Sequence, residues 1–293
     1  MKEAGMEKAG LRIAIPKGRL QDAVATLLTD AGIDISFGMR NYRPRMGWSG
    51  LEAKLLKPQN VVRMLHNGSR DIGFAGADWV AELDLELVEL LDTGLNPVCI
   101  VAAAPPVLLD NGRLPDGVHL TVASEYVTLA KRWVAEQSID GTVVQSFGAT
   151  EAFPPEDADL VVDNISTGDT LRGNGLTIVD TLMQSSTRLY ANPCVLDDAD
   201  KRSQVDDILL LLESVLAARQ RVMLELNVPQ ADFDAVVAIL PSMREPTVAK
   251  LHGNSGYAIR AAVPKADLPG LILALRSRGA TDLIVSRPQQ IVP

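Results

Sequence analysis

Short apolar runs alternate with segments of helical periodicity over the first two-thirds of this 293-residue chain. Leu11–Ile15 is one such run, and Leu20–Ala31 follows it with helical spacing and stops before Gly32. The alternation continues to a strand predicted at Asp159–Asp163, and a long returning strand is predicted at Ile178–Tyr190. Strands that alternate with helices indicate parallel sheets of the α/β class. Two such lobes joined by a returning strand would leave a cleft between them.

The last part of the chain has a different order of elements. After an amphipathic helix at Lys201–Arg219, the predicted order is β-α-β-β-α-β, which is typical of a ferredoxin-like domain. A turn at Gly253–Gly256 and a helix-ending Gly279 agree with that order. Residues 221–293 are therefore predicted to form a separate domain.

Charge and cysteine content exclude several classes of protein. The net charge is −9, so a general nucleic-acid or membrane-surface binder is not expected. Residues 1–60 nevertheless carry +4, which suggests a local anion site. Residues 1–10 lack the apolar core of a signal peptide, and the uncharged stretch Thr93–Leu109 is broken by three prolines. Cys99 and Cys194 have neither disulfide-framework nor zinc spacing, so we expect a reduced, cytoplasmic compartment.

The strongest local motif is Asp163–Thr170, where an apolar strand ends in an acid and a hydroxyl-rich turn leads into a helix. A carboxylate at Asp163 can accept hydrogen bonds from ribose hydroxyls, and free N–H groups in the turn can hold a phosphate. Gly168 would let the backbone approach the ligand closely. The same residues are also compatible with an ordinary helix N-cap. Asp169 would repel a phosphate unless Mg²⁺ intervenes or its side chain turns away.

Basic residues follow the first predicted strand directly. Lys17, Gly18 and Arg19 stand where open α/β sheets bind ligands, at the carboxyl end of a strand, and two cations there suit a polyphosphate. A solvated loop is the alternative. A further basic group has the same two interpretations, and its members are Arg43, Arg45, Lys54 and Lys57.

Two other segments combine a predicted strand with acids. Asp71–Trp79 contains a Gly-rich turn but does not match the dinucleotide-binding fingerprint. Glu151 follows a strand at a helix start, where it is either a cleft carboxylate or an acid favoured by the first helical turn. The three histidines show no metal-ligand spacing.

Several motifs occur together in an order similar to that of the ATP phosphoribosyltransferase family. They are Ile13–Leu20, Leu56–Val61, Asp71–Trp79, Asp163–Leu171 and Leu240–Val248. The resemblance covers nearly the whole chain and points to the long, histidine-regulated form. It implies a two-lobed catalytic region like periplasmic binding proteins of type II, with lobe I at residues 1–104 and 185–220 and lobe II at 105–184. It also implies an ACT-like regulatory domain at residues 221–293.

The resemblance further implies a reaction. ATP and 5-phosphoribosyl 1-pyrophosphate (PRPP) would give 1-(5-phosphoribosyl)-ATP and pyrophosphate, with Mg²⁺, in the first step of histidine biosynthesis. Histidine would inhibit the enzyme, and dimers would assemble into hexamers. Two alternatives stay open at this point. One is a non-catalytic two-lobed solute-binding or sensor protein, and the other is a phosphoribosyltransferase with a different base acceptor.

The family motifs also imply site residues. PRPP would be bound by Asp163, Ser166, Thr167, Gly168, Asp169 and Thr170. The nucleotide would be bound by Lys17, Gly18, Arg19, Lys57 and Asp71. Catalytic roles would fall to Lys17, Asp163 and Glu151, and histidine would be bound by Asn227, Met243 and Thr247. Many relatives have Arg at the position of Lys57 and some have Asp at that of Asn227, so weaker nucleotide binding and weaker histidine inhibition are expected.

Overall fold

The computed structural model describes residues 10–38 and 42–292. Its strands are β1 (Leu11–Pro16), β2 (Ile35–Ser36), β3 (Arg45–Met46), β4 (Leu51–Leu56), β5 (Ile72–Gly76), β6 (Val88–Ala104), β7 (Leu120–Ser124), β8 (Gly141–Gln145), β9 (Leu160–Ile165), β10 (Thr177–Ala191), β11 (Arg221–Pro229), β12 (Thr247–Lys250), β13 (Gly256–Pro264) and β14 (Thr281–Ser286). Its α-helices are α1 (Gln21–Asp30), α2 (Pro58–His66), α3 (Ala77–Leu83), α4 (Val127–Glu136), α5 (Asp169–Gly173), α6 (Ala199–Arg219), α7 (Phe233–Val237) and α8 (Leu268–Ser277). Within the described residues, every helix is too short or too polar to serve as a membrane span.

The chain divides into two compact units. The first, here called unit 1, comprises the residues up to Thr26 together with Asp34–Val205. Unit 2 comprises Leu27–Ile33 and the residues from Asp206 onward. The division falls inside α6, and the predicted lobe boundaries at residues 104 and 184 stay predictions.

Unit 1 is built on one eight-stranded mixed sheet with the strand order β4-β1-β5-β10-β6-β9-β7-β8. β4, β1 and β5 run parallel to one another, as do β9, β7 and β8. The central strands β10 and β6 are antiparallel to each other and to their outer neighbours, β5 and β9. The predicted α/β class is therefore confirmed, with two parallel triplets joined by a pair of long crossing strands.

The first crossing strand differs from its prediction. The sequence predicts two strands, at Leu85–Leu91 and Val98–Ala103, whereas β6 is continuous and pairs with β10 along its whole length. Gly94 and Asn96 adopt positive φ, and the register shifts at bulges instead of ending. Turn-forming residues inside a strand therefore mark a bulge here, because the neighbouring strand keeps supplying hydrogen-bond partners.

Helices cover the parallel triplets through apolar stripes. In α2 the residues Val61, Val62 and Leu65 are fully buried, as the i, i+3, i+4 spacing predicts. In α4 the residues Leu129 and Trp133 pack in the same way against β7 and β9. This packing fixes the strands, and therefore the loops that follow their carboxyl ends.

Unit 2 contains a four-stranded antiparallel sheet in the order β12-β13-β11-β14. Alternate residues of β11 are buried with residues of α7 and α8, so both helices cover one face of the sheet. The predicted ferredoxin-like order is confirmed. The helix predicted at Ala231–Leu240 is shorter than expected, because a 3-10 turn at Gln230–Asp232 precedes α7.

Candidate active site

Two cavities lie where the parallel strands of unit 1 end. The first, here called the central cavity, has a volume of about 370 Å³. It is lined by residues that follow β1, β5 and β7 and by residues of the crossing strands, among them Lys17, Arg19, Asp78, Glu125, Tyr126 and Ser185. The second, here called the loop cavity, measures about 310 Å³ and is lined by Arg19, Glu151 and the run Asp163–Leu171. Arg19 and Asn164 line both cavities, so the two adjoin.

The loop cavity brings together the residues that the Asp163–Thr170 motif predicts. Glu151, whose direction the sequence left open, lies on its wall. Gly168 adopts φ 75°, which bends the chain at the point where the loop enters α5. Among the described residues, no acceptor is hydrogen bonded to the backbone N–H groups of Ser166, Thr167, Gly168 and Thr170. The loop therefore presents donors to the cavity that an anion can accept.

Asp169 also lines the loop cavity, and its charge is paired within the loop. Its Oδ1 accepts a hydrogen bond of 2.6 Å from the Arg172 guanidinium, and its Oδ2 accepts one from the Thr167 hydroxyl. These two contacts lower the pKa of the Asp169 carboxyl. Arg172 also donates a hydrogen bond to the Thr167 carbonyl. Its positive charge beside Asp169 compensates the negative charge that would otherwise repel a phosphate. Arg172 was not predicted as a site residue, although its i, i+3 spacing from Asp169 in a helix is typical of an ion pair.

Asp163 lies near the carboxyl end of β9, where it pairs with Val101 of β6. The pKa of its carboxyl is raised to about 6, chiefly by burial and also by the nearby charges of Glu125 and Glu151, while the Asn164 backbone N–H stabilises the anion and acts in the opposite direction. That N–H lies 2.7 Å from Asp163 Oδ1. Above pH 6 the site therefore holds a poorly solvated carboxylate, which suits hydroxyl donors and positive charge.

The two predicted cations are exposed at the carboxyl end of β1. The Lys17 backbone N–H donates to the Leu56 carbonyl at 2.7 Å, which fixes the loop to the end of β4. Gly18 turns the chain with φ 91°. Lys17 Nζ lies 4.9 Å from the centroid of the Tyr42 ring, and Arg19 reaches both cavities. Both cations therefore stand where a polyanion would lie.

Lys57 is exposed at the N-cap of α2, and its neighbour Pro58 lines the central cavity. Asp71 lies outside the walls of both cavities. It precedes β5 and so lies at the amino end of that strand, whereas the cavities lie at the carboxyl end, at Gly76.

The contacts of Asp71 explain its place. Its side chain is 1% exposed, and it accepts hydrogen bonds from the Arg12 guanidinium at 2.7 Å and from Lys201 Nζ at 3.0 Å. Burial raises the pKa of its carboxyl, but these contacts outweigh burial and lower it. Asp71 therefore stabilises unit 1 as part of a buried ion pair, and its part in nucleotide binding stays a prediction.

A polar network in the wall of the central cavity was not predicted. Ser185 Oγ donates to Asp78 Oδ1 at 2.7 Å, and the Tyr126 hydroxyl donates to Asp78 Oδ2 at 2.7 Å. Asn164 Nδ2 donates to the Tyr126 oxygen at 3.1 Å and lies 3.3 Å from Asp163 Oδ1. Burial, together with the charge of Asp78, raises the pKa of Tyr126, which therefore stays protonated. The network joins a crossing strand, α3, the start of α4 and the end of β9.

Only Gly76 gives a sequence indication of this network. A side chain at Gly76 would overlap the Asp78 carboxylate, so a glycine at this position allows the Asp78 side chain to lie against the backbone just before α3. Tyr126 and Ser185 carry no such signal, because 48 and 107 residues separate them from Asp78.

The predicted histidine-binding residues lie in unit 2. Asn227 on β11 and Thr247 on β12 share the sheet face opposite the helices, with β13 between them. The Met243 backbone N–H donates to the Ala262 carbonyl of β13 at 3.1 Å. Asn227 Nδ2 donates to Asp282 Oδ2 at 2.9 Å, so an acid that was not predicted lies beside the amide.

The comparisons with known proteins agree in sequence and structure. The family model described as HisG, ATP phosphoribosyltransferase, matches residues 57–214, and the model of the HisG C-terminal domain matches residues 218–288. An ATP phosphoribosyltransferase of Chlorobium phaeobacteroides is 34% identical over 92% of this chain and 93% of its own. One from Pelotomaculum thermopropionicum is 32% identical over 97% of this chain and 99% of its own.

A solved structure extends the similarity to the fold. It is a chain of the ATP phosphoribosyl transferase (HisG:HisZ) complex from Thermotoga maritima, with a TM-score of 0.60 and 26% identity. The match covers 69% of this chain and 98% of that one. Because both family regions are matched in order and the relatives align over nearly their full length, the chain belongs to the ATP phosphoribosyltransferase family, in its long form.

Proposed function

We propose that this protein condenses ATP with PRPP to give 1-(5-phosphoribosyl)-ATP and pyrophosphate, the first step of histidine biosynthesis. One observation carries the proposal. The Asp163 carboxylate and the free N–H groups of the following loop line one cavity, and that cavity adjoins a second one containing Lys17. A sugar phosphate and a nucleotide can therefore lie side by side.

PRPP fits the loop cavity. Asp163 accepts hydrogen bonds from the ribose hydroxyls, and the N–H groups of Ser166, Thr167, Gly168 and Thr170 hold the 5-phosphate. The hydroxyls of Ser166 and Thr170 are further donors. Because Asp169 is paired with Arg172, it does not oppose the phosphate. Arg19 lies on the wall shared with the central cavity, where the pyrophosphate group would be.

ATP fits the central cavity. Lys17 and Arg19 supply the cations for its phosphates, with the Gly18 turn between them, and Lys57 lies one residue from the cavity wall. Lys57 is a point charge where Arg would offer a two-pronged contact, so its share in binding is expected to be modest.

The reaction needs alignment more than strong acid or base assistance. The N1 lone pair of adenine forms the bond to ribose C1, while the bond from C1 to the pyrophosphate oxygen breaks and its electrons leave with pyrophosphate. Positive charge develops on the ribose, and Asp163 and Glu151 are the carboxylates that face it. Lys17 and Arg19 stabilise the negative charge on the departing group.

Mg²⁺ is part of the proposal. No group of three or more acidic, histidine or cysteine side chains in the described part of the chain is arranged to hold a metal ion by itself. In phosphate sites Mg²⁺ is typically bound by one or two carboxylates together with substrate phosphates and waters. Glu151 and Asp163, which both line the loop cavity, would provide such carboxylates. The ion would neutralise pyrophosphate charge when it enters with PRPP.

The assay mixes the purified protein with ATP and PRPP and follows adduct absorbance and pyrophosphate release. Turnover is expected, and Lys17→Ala and Asp163→Asn are each expected to lower it about 10²-fold or more. Asp157→Asn changes an exposed acid that lies outside the walls of both cavities; it is the matched control and is expected to keep full activity. Absence of turnover in the folded wild-type protein would refute the proposal.

Two alternatives are separated by the same mixture. A non-catalytic solute-binding protein would bind one substrate and release no pyrophosphate. A phosphoribosyltransferase with another acceptor would release pyrophosphate only when a different base replaces ATP.

Regulation by histidine, assembly of dimers into hexamers and a cytoplasmic location are further parts of the proposal. The sheet face that carries Asn227, Thr247 and Asp282 supports histidine binding, since an amide and a carboxylate suit its carboxylate and amine. Light scattering with and without millimolar histidine measures the assembly, and cell fractionation tests the location.

A further inference from the structure

We propose that Asn164 selects the base of the nucleotide: its side-chain oxygen accepts a hydrogen bond from the 6-amino group of adenine, and Tyr126 with Asp78 holds it in that orientation. This inference rests on the proposed function, because it assumes that a nucleotide lies in the central cavity.

The first argument is position. Among the described residues, only Arg19 and Asn164 line both cavities. A bond between two substrates must form where their cavities meet. Adenine N1 forms that bond, and the ring carbon next to N1 carries the 6-amino group. Asn164 is in strand β9 and pairs with Ile100 of β6, so it offers a fixed contact at the seam.

The second argument is the orientation of the amide. A carboxylate only accepts hydrogen bonds, so Tyr126 must donate its proton to Asp78. The Tyr126 oxygen then accepts from Asn164, which places Nδ2 toward it. Asp163 Oδ1, at 3.3 Å from the same Nδ2, is a second acceptor. Both N–H groups of the amide are thereby engaged, and Oδ1 is the polar atom left for a ligand.

The third argument is burial of the network that sets this orientation. Tyr126 is 1% exposed and Asp78 5% exposed, and Ser185 occupies the second oxygen of Asp78. Rotating the amide of Asn164 would turn its oxygen toward the Tyr126 oxygen and the Asp163 carboxylate, both of which are acceptors. The orientation is therefore set by chemistry that does not depend on the substrate.

The consequence is discrimination between purines. The 6-amino group of adenine donates a hydrogen bond, whereas hypoxanthine carries a carbonyl oxygen there, which would face another acceptor. A site built around one hydrogen-bond direction rejects the analogue of opposite direction strongly. As N1 forms its bond, the 6-amino group becomes more positive, so the contact strengthens as the reaction proceeds.

The experiment compares by calorimetry the affinities for ATP and for ITP, the hypoxanthine analogue, in wild type, Asn164→Ala, Tyr126→Phe and Asn67→Ala. Affinity is the quantity compared because N1 of hypoxanthine carries a proton and lacks the lone pair with which adenine N1 attacks ribose C1. Asn67 lies in an exposed turn after α2 and serves as the control. The wild type and the control are expected to prefer ATP by about 10²-fold or more, and Asn164→Ala to lose at least tenfold of that preference. Tyr126→Phe is expected to lose a smaller part and to leave the KM for PRPP unchanged.

The kcat/KM for ATP and the KM for PRPP are measured on the same variants. An unchanged ATP/ITP ratio in Asn164→Ala overturns the proposal, and so does a variant that loses only PRPP affinity. A Tyr126→Phe protein that is less stable but keeps the wild-type ratio removes the positioning role. Failure of the proposed function is a distinct result, namely a wild-type protein that binds ATP but does not turn it over with PRPP.

Discussion

The carboxylate of Asp163 combines two opposing effects at the scale of a single residue. Its place at the wall of the loop cavity suits it to contact a ribose, but burial and two acidic neighbours make its charged form unfavourable. The folded protein therefore holds a charge that the unfolded chain would solvate better. Strain of this kind is typical of functional sites.

The first prediction concerns this charge. The pKa of Asp163 is about 6 in the folded protein and near its usual 3.8 when unfolded, so the folded state binds more protons between those values. The free energy of unfolding should therefore fall as pH rises from about 4 to 6. Asp163→Asn removes that slope and should raise the free energy of unfolding at pH 7.5 by about 1–3 kcal/mol while turnover falls.

Urea unfolding at several pH values, with activity measured on the same samples, checks this prediction. Asp157→Asn should change neither quantity, because its carboxyl group is exposed. In the wild type, kcat/KM should rise as pH increases through about 6. An Asp163→Asn protein less stable than wild type at pH 7.5 would contradict the account.

The second prediction concerns Gly76. An alanine here would drive its Cβ into the Asp78 carboxylate and break the bonds to Tyr126 and Ser185. We expect Gly76→Ala to destabilise the protein by about 1–3 kcal/mol. Gly173→Ala is the matched control, since nothing lies within 4 Å of the added methyl group in α5. Thermal unfolding that ranks the two substitutions equally would be inconsistent with the network.

At the scale of elements, α4 begins without a cap from its own sequence. Tyr126 stands at the N-cap position and its side chain makes no capping bond. Glu82 of α3 supplies the cap instead, with its two carboxylate oxygens each 3.0 Å from the backbone nitrogens of Thr128 and Leu129. A side chain of α3, which follows one parallel triplet, thus accepts hydrogen bonds from the free backbone N–H groups in the first turn of α4, which follows a strand of the other triplet.

The third prediction tests this cap. Glu82→Gln keeps one acceptor but loses the negative charge and one acceptor oxygen, so we expect a loss of about 0.5–2 kcal/mol in the free energy of unfolding. Glu136→Gln, at the exposed C-terminal end of the same helix, should stabilise by a few tenths of a kcal/mol because the helix dipole disfavours an acid there. Denaturant midpoints that shift down for Glu82→Gln and up for Glu136→Gln, relative to wild type, would support the cap. An unchanged midpoint for Glu82→Gln would exclude it.

At the scale of the whole molecule, unit 1 carries both cavities and unit 2 carries the sheet face proposed to bind histidine. Asp282 changes the expectation for this face. The amide at Asn227 suggested weak binding of the histidine amine, but the neighbouring Asp282 carboxylate can provide the missing charge.

The fourth prediction follows from that carboxylate. Asp282→Asn should weaken histidine binding, measured by calorimetry, about tenfold or more, and should reduce inhibition in parallel, while turnover without histidine stays at the wild-type rate. Glu245→Gln, an exposed acid in the loop before β12, is the control. Equal histidine affinity in wild type and Asp282→Asn would remove Asp282 from the site.

Local patterns were enough to predict much of this protein. The Asp163–Thr170 motif predicted a loop whose residues do line one cavity, because an apolar strand, an acid and a glycine within eight residues define their own geometry. Lys17 and Arg19 were placed correctly at a strand end for the same reason. The β-α-β-β-α-β order of unit 2 follows from periodicity and turn residues alone.

Tertiary structure decided what depends on contacts between distant residues. Only the family motif placed Asp71 among the nucleotide-binding residues, and the structure has it at the amino end of β5, where it pairs with Arg12 and Lys201. Asp78, Tyr126 and Ser185 form one network although no spacing links them. Sequence periodicity determines which residues share a strand or a helix face, because backbone geometry repeats. Which end of a strand meets which loop depends on the packing of the sheet, and that packing places Asn164 between the two cavities.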